Sequence, residues 1–162
     1  MIATIRKYID SDIQEIMNLF NGVVEEGNAF LTENNMTTAQ MEYWLKNEET
    51  AAYVALSANR IVGCYMLRPN LKGRGKHVGN ATYFISKSFR GHGIGYQLGK
   101  HSLEEAKNIG FTAMQFNSVV AINQSSKNRW LKLGFQVIGV IPNGYRLLNE
   151  TFVDIMILYK KL

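Results

Sequence analysis

The stretch Asn80-Ala81-Thr82-Tyr83-Phe84-Ile85-Ser86-Lys87-Ser88-Phe89-Arg90-Gly91-His92-Gly93-Ile94-Gly95-Tyr96-Gln97-Leu98 decides how this chain folds. Residues 81–86 form a strand-like run. A basic, glycine-rich turn at 90–95 follows, and a helix-forming segment begins directly after it. Strand, glycine turn and helix N-terminus together make an anion site. Glycines let the backbone approach a ligand closely, successive N–H groups face it, and the helix dipole adds about half a positive charge. The ligand class this implies is a phosphate.

Downstream of the turn, Ile94, Leu98, Leu103 and Ala106 line one side of a helix that Gly110 ends. A strand at 112–120 comes next, then a short helix capped by Asn123 that holds Trp130 and Leu133 and stops at Gly134. Strands at 135–141 and 152–158 close the chain. Upstream, residues 2–8 read as a strand. Ser11 and Gln14 form a capping box before a stripe of Ile13, Ile16, Met17, Phe20, Val23 and Val24. A polar loop around Phe30 and Leu31 leads to a second capping box, Thr37 and Gln40. The helix it opens carries Met41, Trp44 and Leu45. Strands at 51–56 and 61–67 and a basic hairpin loop at 69–76 complete the order β-α-α-β-β-β-α-β-α-β-β. This is an α/β chain with a central mixed sheet and helices on both faces.

The chain has 162 residues, 46% of them apolar, only two prolines and no low-complexity tract, which suits one domain over 1–162. Its 18 Lys and Arg against 13 Asp and Glu give a net charge of +5. That suits an anionic ligand, and nucleic acid equally on charge alone. The single cysteine, Cys64, lies in an apolar run and excludes an intramolecular disulfide and any cysteine-based metal site. No metal is expected. The N-terminal residues lack a secretory core, and no apolar run approaches the ~20 residues a bilayer span requires. The expectation is a cytoplasmic protein away from membranes.

Two nucleotide motifs fail residue by residue. A P-loop needs Gly-x-x-x-x-Gly-Lys-Ser/Thr, and none occurs. A dinucleotide turn counted from Gly91 puts Tyr96 at its last glycine and requires an acidic residue about 20 positions later. No Asp or Glu occurs between Glu105 and Glu150, which decides against NAD.

The turn Arg90-Gly91-His92-Gly93-Ile94-Gly95 resembles the pyrophosphate-binding motif of the GCN5-related N-acetyltransferases (GNAT), Gln/Arg-x-x-Gly-x-Gly/Ala. Asn123 and Ser126, followed by Trp130 and the Gly134-Phe135 pair, are similar to a second segment of that family, and residues 153–159 to its last strand. The element order is the family's as well, so the resemblance covers essentially the whole chain. It implies a GNAT-like acyl-CoA N-acyltransferase fold with a splay between the two central parallel strands. It implies acetyl-CoA as co-substrate, its pyrophosphate held by the backbone of Arg90, Gly91, His92, Gly93, Ile94 and Gly95. The pantetheine arm would pair with main-chain groups of Phe84, Ile85 and Ser86. Asn123 and Ser126 would touch the arm from across the splay, and Trp130 would pack against the arm or the core.

Many members carry a tyrosine where this chain has Trp130, and an indole N–H is no proton donor at useful pH. The general acid is therefore open among Tyr83, Tyr145, Ser126, a water, or none, with Tyr83 the leading candidate. Glu25, Glu26 and Glu33 are candidate bases, Glu26 foremost, with His77 and His101 behind them. The implied acceptor is a primary amine of a small molecule, amino acid or peptide. Its determinants are sought in Phe30, Leu31, the Arg74 hairpin and the 143–149 loop, and the local positive charge favours acidic acceptors. A non-catalytic acyl-CoA-binding or regulatory module is the alternative. Nucleic-acid binding lacks a reading motif, because the aromatics follow core periodicity. An edge strand near the C-terminus offers a route to a homodimer.

Overall fold

A computed structural model describes residues 2–162. Among these residues, seven strands form one sheet in the order β1-β2-β3-β4-β5-β7-β6. They are β1 (Thr4–Lys7), β2 (Ala51–Ser57), β3 (Arg60–Pro69), β4 (Val78–Ile85), β5 (Ala113–Val120), β6 (Gln136–Arg146) and β7 (Phe152–Lys161). Helices α1 (Ile13–Glu25), α2 (Thr38–Leu45), α3 (Ile94–Ile109) and α4 (Gln124–Lys132) complete the expected order.

Strand parity explains why two layers form. On one face of β3 and β4, Cys64, Met66 and Phe84 pack under α1 and α2 with Ile16, Phe20 and Met41. On the other face, Tyr65, Leu67 and Ile85 pack with Ile94, Leu98 and Trp130 of α3 and α4. Helices thus cover both faces, as the alternation requires.

Local chemistry sets several boundaries. The β2–β3 turn places Ala58 and Asn59 at φ of 48° and 60°, the pair of left-handed residues a two-residue hairpin needs. Thr37 Oγ1 accepts from Gln40 N at 3.3 Å while Gln40 Oε1 accepts from Thr37 N at 2.8 Å, the reciprocal box expected there. The Ser11 box does not form. A 3-10 turn at Asp10–Asp12 precedes α1, and Asp12 Oδ2 instead accepts from Ile9 N at 2.9 Å. Asp12 is fixed there by a two-pronged bond with Arg6, at 2.6 and 3.0 Å. A carboxylate that Arg6 can fork outcompetes a serine hydroxyl for the turn.

β6 runs past the expected end at Ile141. Pro142 falls within a register break between Ile141 and Tyr145, on the outer edge of the sheet, where a missing N–H is tolerated. Val137, Ile138, Val140 and Ile141 are exposed along that edge.

One irregularity positions the site. β4 and β5 are the sheet's parallel neighbours, yet they pair only at Val78↔Ala113 and Gly79↔Met114 and then diverge. Each strand keeps its other partner: β3 stays in register with β4 as far as Gly63↔Ile85, and β7 follows β5 to Val120↔Ile155. The sheet is therefore split from within, as the resemblance implied. Among the described residues no helix is long and apolar enough to cross a membrane.

Candidate active site

A cleft of about 1150 Å³ follows the split. At one end lies the glycine turn. Gly91 and Gly93 have φ of 80° and 82°, so both occupy the left-handed region that favours glycine. A Cβ at Gly91 would meet nothing within 4 Å, and one at Gly93 only Gln97 Nε2 at 3.9 Å. The glycines therefore hold open a space that protein atoms do not fill. The N–H groups of residues 91–95 have no backbone acceptor among the described residues, because α3 starts its ladder only with Tyr96 and Gln97 donating to Gly93 O. Unpaired amides at a helix start, facing empty space, form an anion cradle. His92 is exposed, with Nδ1 2.9 Å from Arg90 O, and contributes backbone.

Arg90 is not free. Its guanidinium forks Glu26 at 2.6 and 2.8 Å, and its Nε donates to Ile85 O at 3.1 Å. This pins the turn to the end of α1. It also occupies both oxygens of Glu26. Glu25 accepts from Asn35 at 2.7 Å and Glu33 from Arg146 at 3.0 Å, so all three candidate bases are engaged elsewhere. His77 is exposed beside Arg74 O, and His101 Nδ1 lies 2.8 Å from the Tyr65 hydroxyl.

The inner edge of β4 is partly available. Ser86 N donates to Val62 O, so even-numbered residues turn their peptide groups toward β3 and odd-numbered ones toward the split. Of Phe84, Ile85 and Ser86, only Ile85 faces the gap, together with Tyr83. Ile85 O accepts from Arg90, leaving Ile85 N–H as the open donor.

Across the split, Asn123 Oδ1 accepts from Ser126 N at 3.0 Å and caps α4, while Ser126 Oγ accepts from Trp130 Nε1 at 3.0 Å. Both polar side chains line the cleft. Trp130 is buried in an aromatic stack with Tyr83, Phe116 and Phe135, at centroid distances of 4.6, 4.5 and 5.5 Å. Tyr83 also borders the cleft, but its hydroxyl lies 2.6 Å from Ser102 Oγ. Ser102 itself donates to Gly99 O, so Tyr83 is the donor to Ser102 and its proton is committed to the core. Burial raises its pKa well above the phenol range. Tyr145 is likewise spent, donating to Phe30 O at 2.9 Å.

Two cleft residues escaped the sequence reading. Arg129 is half-buried, stands 5.5 Å from the Trp130 centroid, and would be met at 2.8 Å by a Cβ on Gly95. Arg68 lies at the opposite end against Trp44, at 5.2 Å. Neither has a carboxylate partner among the described residues. Desolvation lowers the pKa of each guanidinium. Among the described residues the charged lining has one sign: Arg68, Arg90, Arg129 and Lys132 are present, and no Asp, Glu or His. Phe30 and Leu31 do line the cleft, whereas Arg74 and residues 143–149 do not. Among the described residues no group of three or more His, Cys, Asp or Glu could hold a metal ion.

The profile of the Acetyltransferase (GNAT) family matches residues 13–135. N-acetyltransferase aca1 of Schizosaccharomyces pombe is 37% identical over 95 residues, 58% of this chain and 46% of that protein. Protein SPT10 of Saccharomyces cerevisiae is 26% identical over 132 residues, 81% of this chain and 21% of its own length. The chain thus spans less than half the length of these curated relatives. A GCN5-related N-acetyltransferase from Kribbella flavida superposes with a TM-score of 0.93 at 28% identity, covering 99% of this chain and 98% of that one. A GNAT superfamily phosphinothricin acetyltransferase from Sinorhizobium meliloti, solved in complex with acetyl-CoA, shares the fold at TM-score 0.92 and 20% identity, with 100% and 89% covered.

Proposed function

The chain belongs to the acetyltransferase (GNAT) family, and from that premise we propose that it is an acetyl-CoA-dependent N-acetyltransferase acting on a primary amine of a small molecule, amino acid or peptide. One observation carries the reading: the unpaired amides of residues 91–95 lie at the mouth of a split whose inner edge offers the Ile85 N–H. A diphosphate fits the first feature and an extended amide-bearing arm the second. The empty space above Gly91 and Gly93 is what a phosphate needs and what any Cβ would fill.

On this reading the amides of residues 91–95 hold the pyrophosphate, with the Arg129 guanidinium beside Gly95 adding charge. Lys132 stands near, 5.1 Å from the Tyr96 ring centroid. Asn123 and Ser126 face the arm from α4, and Trp130 backs them. Acetyl-CoA, when bound, supplies an activated acyl thioester. The open Ile85 N–H would be available to donate to the thioester carbonyl and would stabilise the charge that develops there as a preorganised donor. Among the described residues no acidic or imidazole side chain lines the cleft to take the amine's proton. The acceptor therefore enters as the neutral amine, having lost its proton to water. The departing thiol has a pKa of ~8.5 and requires no strong acid. Tyr83 and Glu26, each bonded within the protein, serve as positioning residues.

A binding-only module is not favoured, because the cleft continues beyond the β4 edge to Trp44 and leaves room for an acceptor. The same proposal takes residues 1–162 as one catalytic domain of a cytoplasmic enzyme, with pairing of the exposed β6 edge as its route to a dimer. The test is thermal unfolding with acetyl-CoA, joined to release of free CoA on an amine panel. Wild type gains stability with acetyl-CoA and Gly93→Val does not. Absence of any shift at millimolar acetyl-CoA refutes the assignment, and binding without turnover on a broad panel restores the binding module.

A further inference from the structure

The far end of the cleft contains a charge that donor binding does not use. Cys64, Met66 and Arg68 share one face of β3, opposite Phe84, Thr82 and Asn80 of β4. Cys64 and Met66 are buried beneath α1 and α2, so strand parity carries Arg68 into the same layer. The guanidinium rests against the Trp44 ring. Among the described residues it makes no hydrogen bond or ion pair, and its Nη1 is buried without a partner. Arg6, Arg90 and Arg146, by contrast, each hold a carboxylate. A desolvated, unpaired guanidinium is costly to maintain in a fold. Among the described residues it has no partner, and those that line the cleft offer no acidic side chain.

We propose that Arg68 anchors a carboxylate on the acceptor, so that the substrate is a free amino acid with an apolar side chain. The inference rests on the N-acetyltransferase reading and names the acceptor class within it. The planar fork of a guanidinium matches a carboxylate through two parallel hydrogen bonds, and Trp44 holds that fork from behind. Phe20, Phe30 and Met36 line the same end and supply an apolar wall for the side chain. Asn80, opposite Arg68, and Tyr83 at the open edge are three residues apart, about 10 Å along an extended strand. An arginine side chain and a small amino acid together span that gap, which brings the amine to the split.

The test compares amino acids with their carboxamides, which keep the amine and side chain and lose only the charge. Leucine with leucinamide and methionine with methioninamide are the first pairs of a panel covering the remaining apolar amino acids, with CoA release followed. The amide's amine is less basic, so more of it is neutral at a given pH, and a preference for the acid runs against that bias. The expected result is kcat/KM higher for the acid by about 10- to 100-fold, the range for a lost charged hydrogen-bond pair. Arg68→Met should abolish the preference by raising KM for the acid alone, with protection by acetyl-CoA unchanged. Arg68→Lys, which keeps charge without the fork, should fall between. Equal use of acid and amide by the wild type overturns the assignment of Arg68 without recourse to any variant. So does acetyl-CoA binding with no panel member acetylated, or an acid preference that survives in Arg68→Met. Failure to bind acetyl-CoA overturns the underlying enzyme reading as well.

Discussion

Replacing Arg129 with methionine separates binding from stability. The guanidinium lies so close to the first turn of α3 that a Cβ on Gly95 would stand 2.8 Å from its Cζ and Nε. Among the described residues it has no carboxylate partner, and desolvation already disfavours its charge, with Arg90 adding repulsion. Methionine keeps most of the aliphatic volume against Trp130 and removes the charge. The lost cation–π contact is worth about 0.5–1 kcal/mol, and relief of an unpaired buried charge opposes it. The two nearly cancel, so Tm should move by no more than about 2–4 °C, the shift that 1 kcal/mol produces in a chain of this size. Binding should respond differently. A charged hydrogen bond to phosphate is worth about 1.5–3 kcal/mol, which is roughly 10- to 100-fold in Kd. Titration calorimetry with acetyl-CoA at low and moderate salt reads both the loss and a reduced salt dependence. If Arg129→Met bound acetyl-CoA as tightly as wild type, the cradle would end at the backbone amides and Arg129 would be only a packing residue.

Further outcomes follow from the same contacts. Tyr83→Phe should leave kcat within about threefold and cost about 1 kcal/mol in urea unfolding, because it deletes only a core hydrogen bond to Ser102; a hundredfold fall in kcat at unchanged stability would make Tyr83 the proton donor. Glu26→Gln should raise acetyl-CoA affinity a few-fold at low salt by freeing Arg90 of its counter-ion, whereas a kcat collapse would restore Glu26 as base. With no carboxylate or imidazole among the described residues of the cleft, log kcat/KM should rise with unit slope until the acceptor amine is neutral; a bell-shaped profile would reveal an enzyme group. Arg6 holds the Asp12 carboxyl below its ordinary value of 3.8. Asp12 therefore contributes stability that is complete above that value and disappears as pH falls through the lower folded-state value. Denaturation of wild type and Asp12→Asn should accordingly differ at pH 7 and converge in strong acid.

The element order, the two layers and the glycine turn were legible because they rest on periodicity and on residues with few alternative uses. Asn123 was read as a cap and is one. The start of α1 was misplaced because Ser11 and Asp12 are both good local acceptors, and Arg6, six residues away, decides between them. The family resemblance implies an edge of three consecutive residues, Phe84 to Ser86, whereas alternation along a strand lets only every second one face the gap. In the sequence Arg68 and Arg129 look like ordinary basic residues of a basic chain. Arg68 had a signal, since it shares parity with Cys64 and Met66 in a run too apolar to be exposed. Arg129 shares an inward arc with Ser126, three positions back on the same helix. What stays hidden is distant pairing: the carboxylate that neutralises Arg90 lies 64 positions away in the chain, and one of the two on Arg146 lies 113 away.

The single-signed lining of the cleft also bears on turnover. On the proposed function, acyl transfer alters only the thioester end of the donor and leaves every phosphate in place, so the grip proposed for residues 91–95 and Arg129 would not slacken when the reaction is complete. Free CoA should then compete with acetyl-CoA at similar affinity, and its departure should limit the steady-state rate once acceptor is saturating. Added salt would loosen capture and hasten exit together, giving a maximum in turnover at intermediate ionic strength instead of a steady decline.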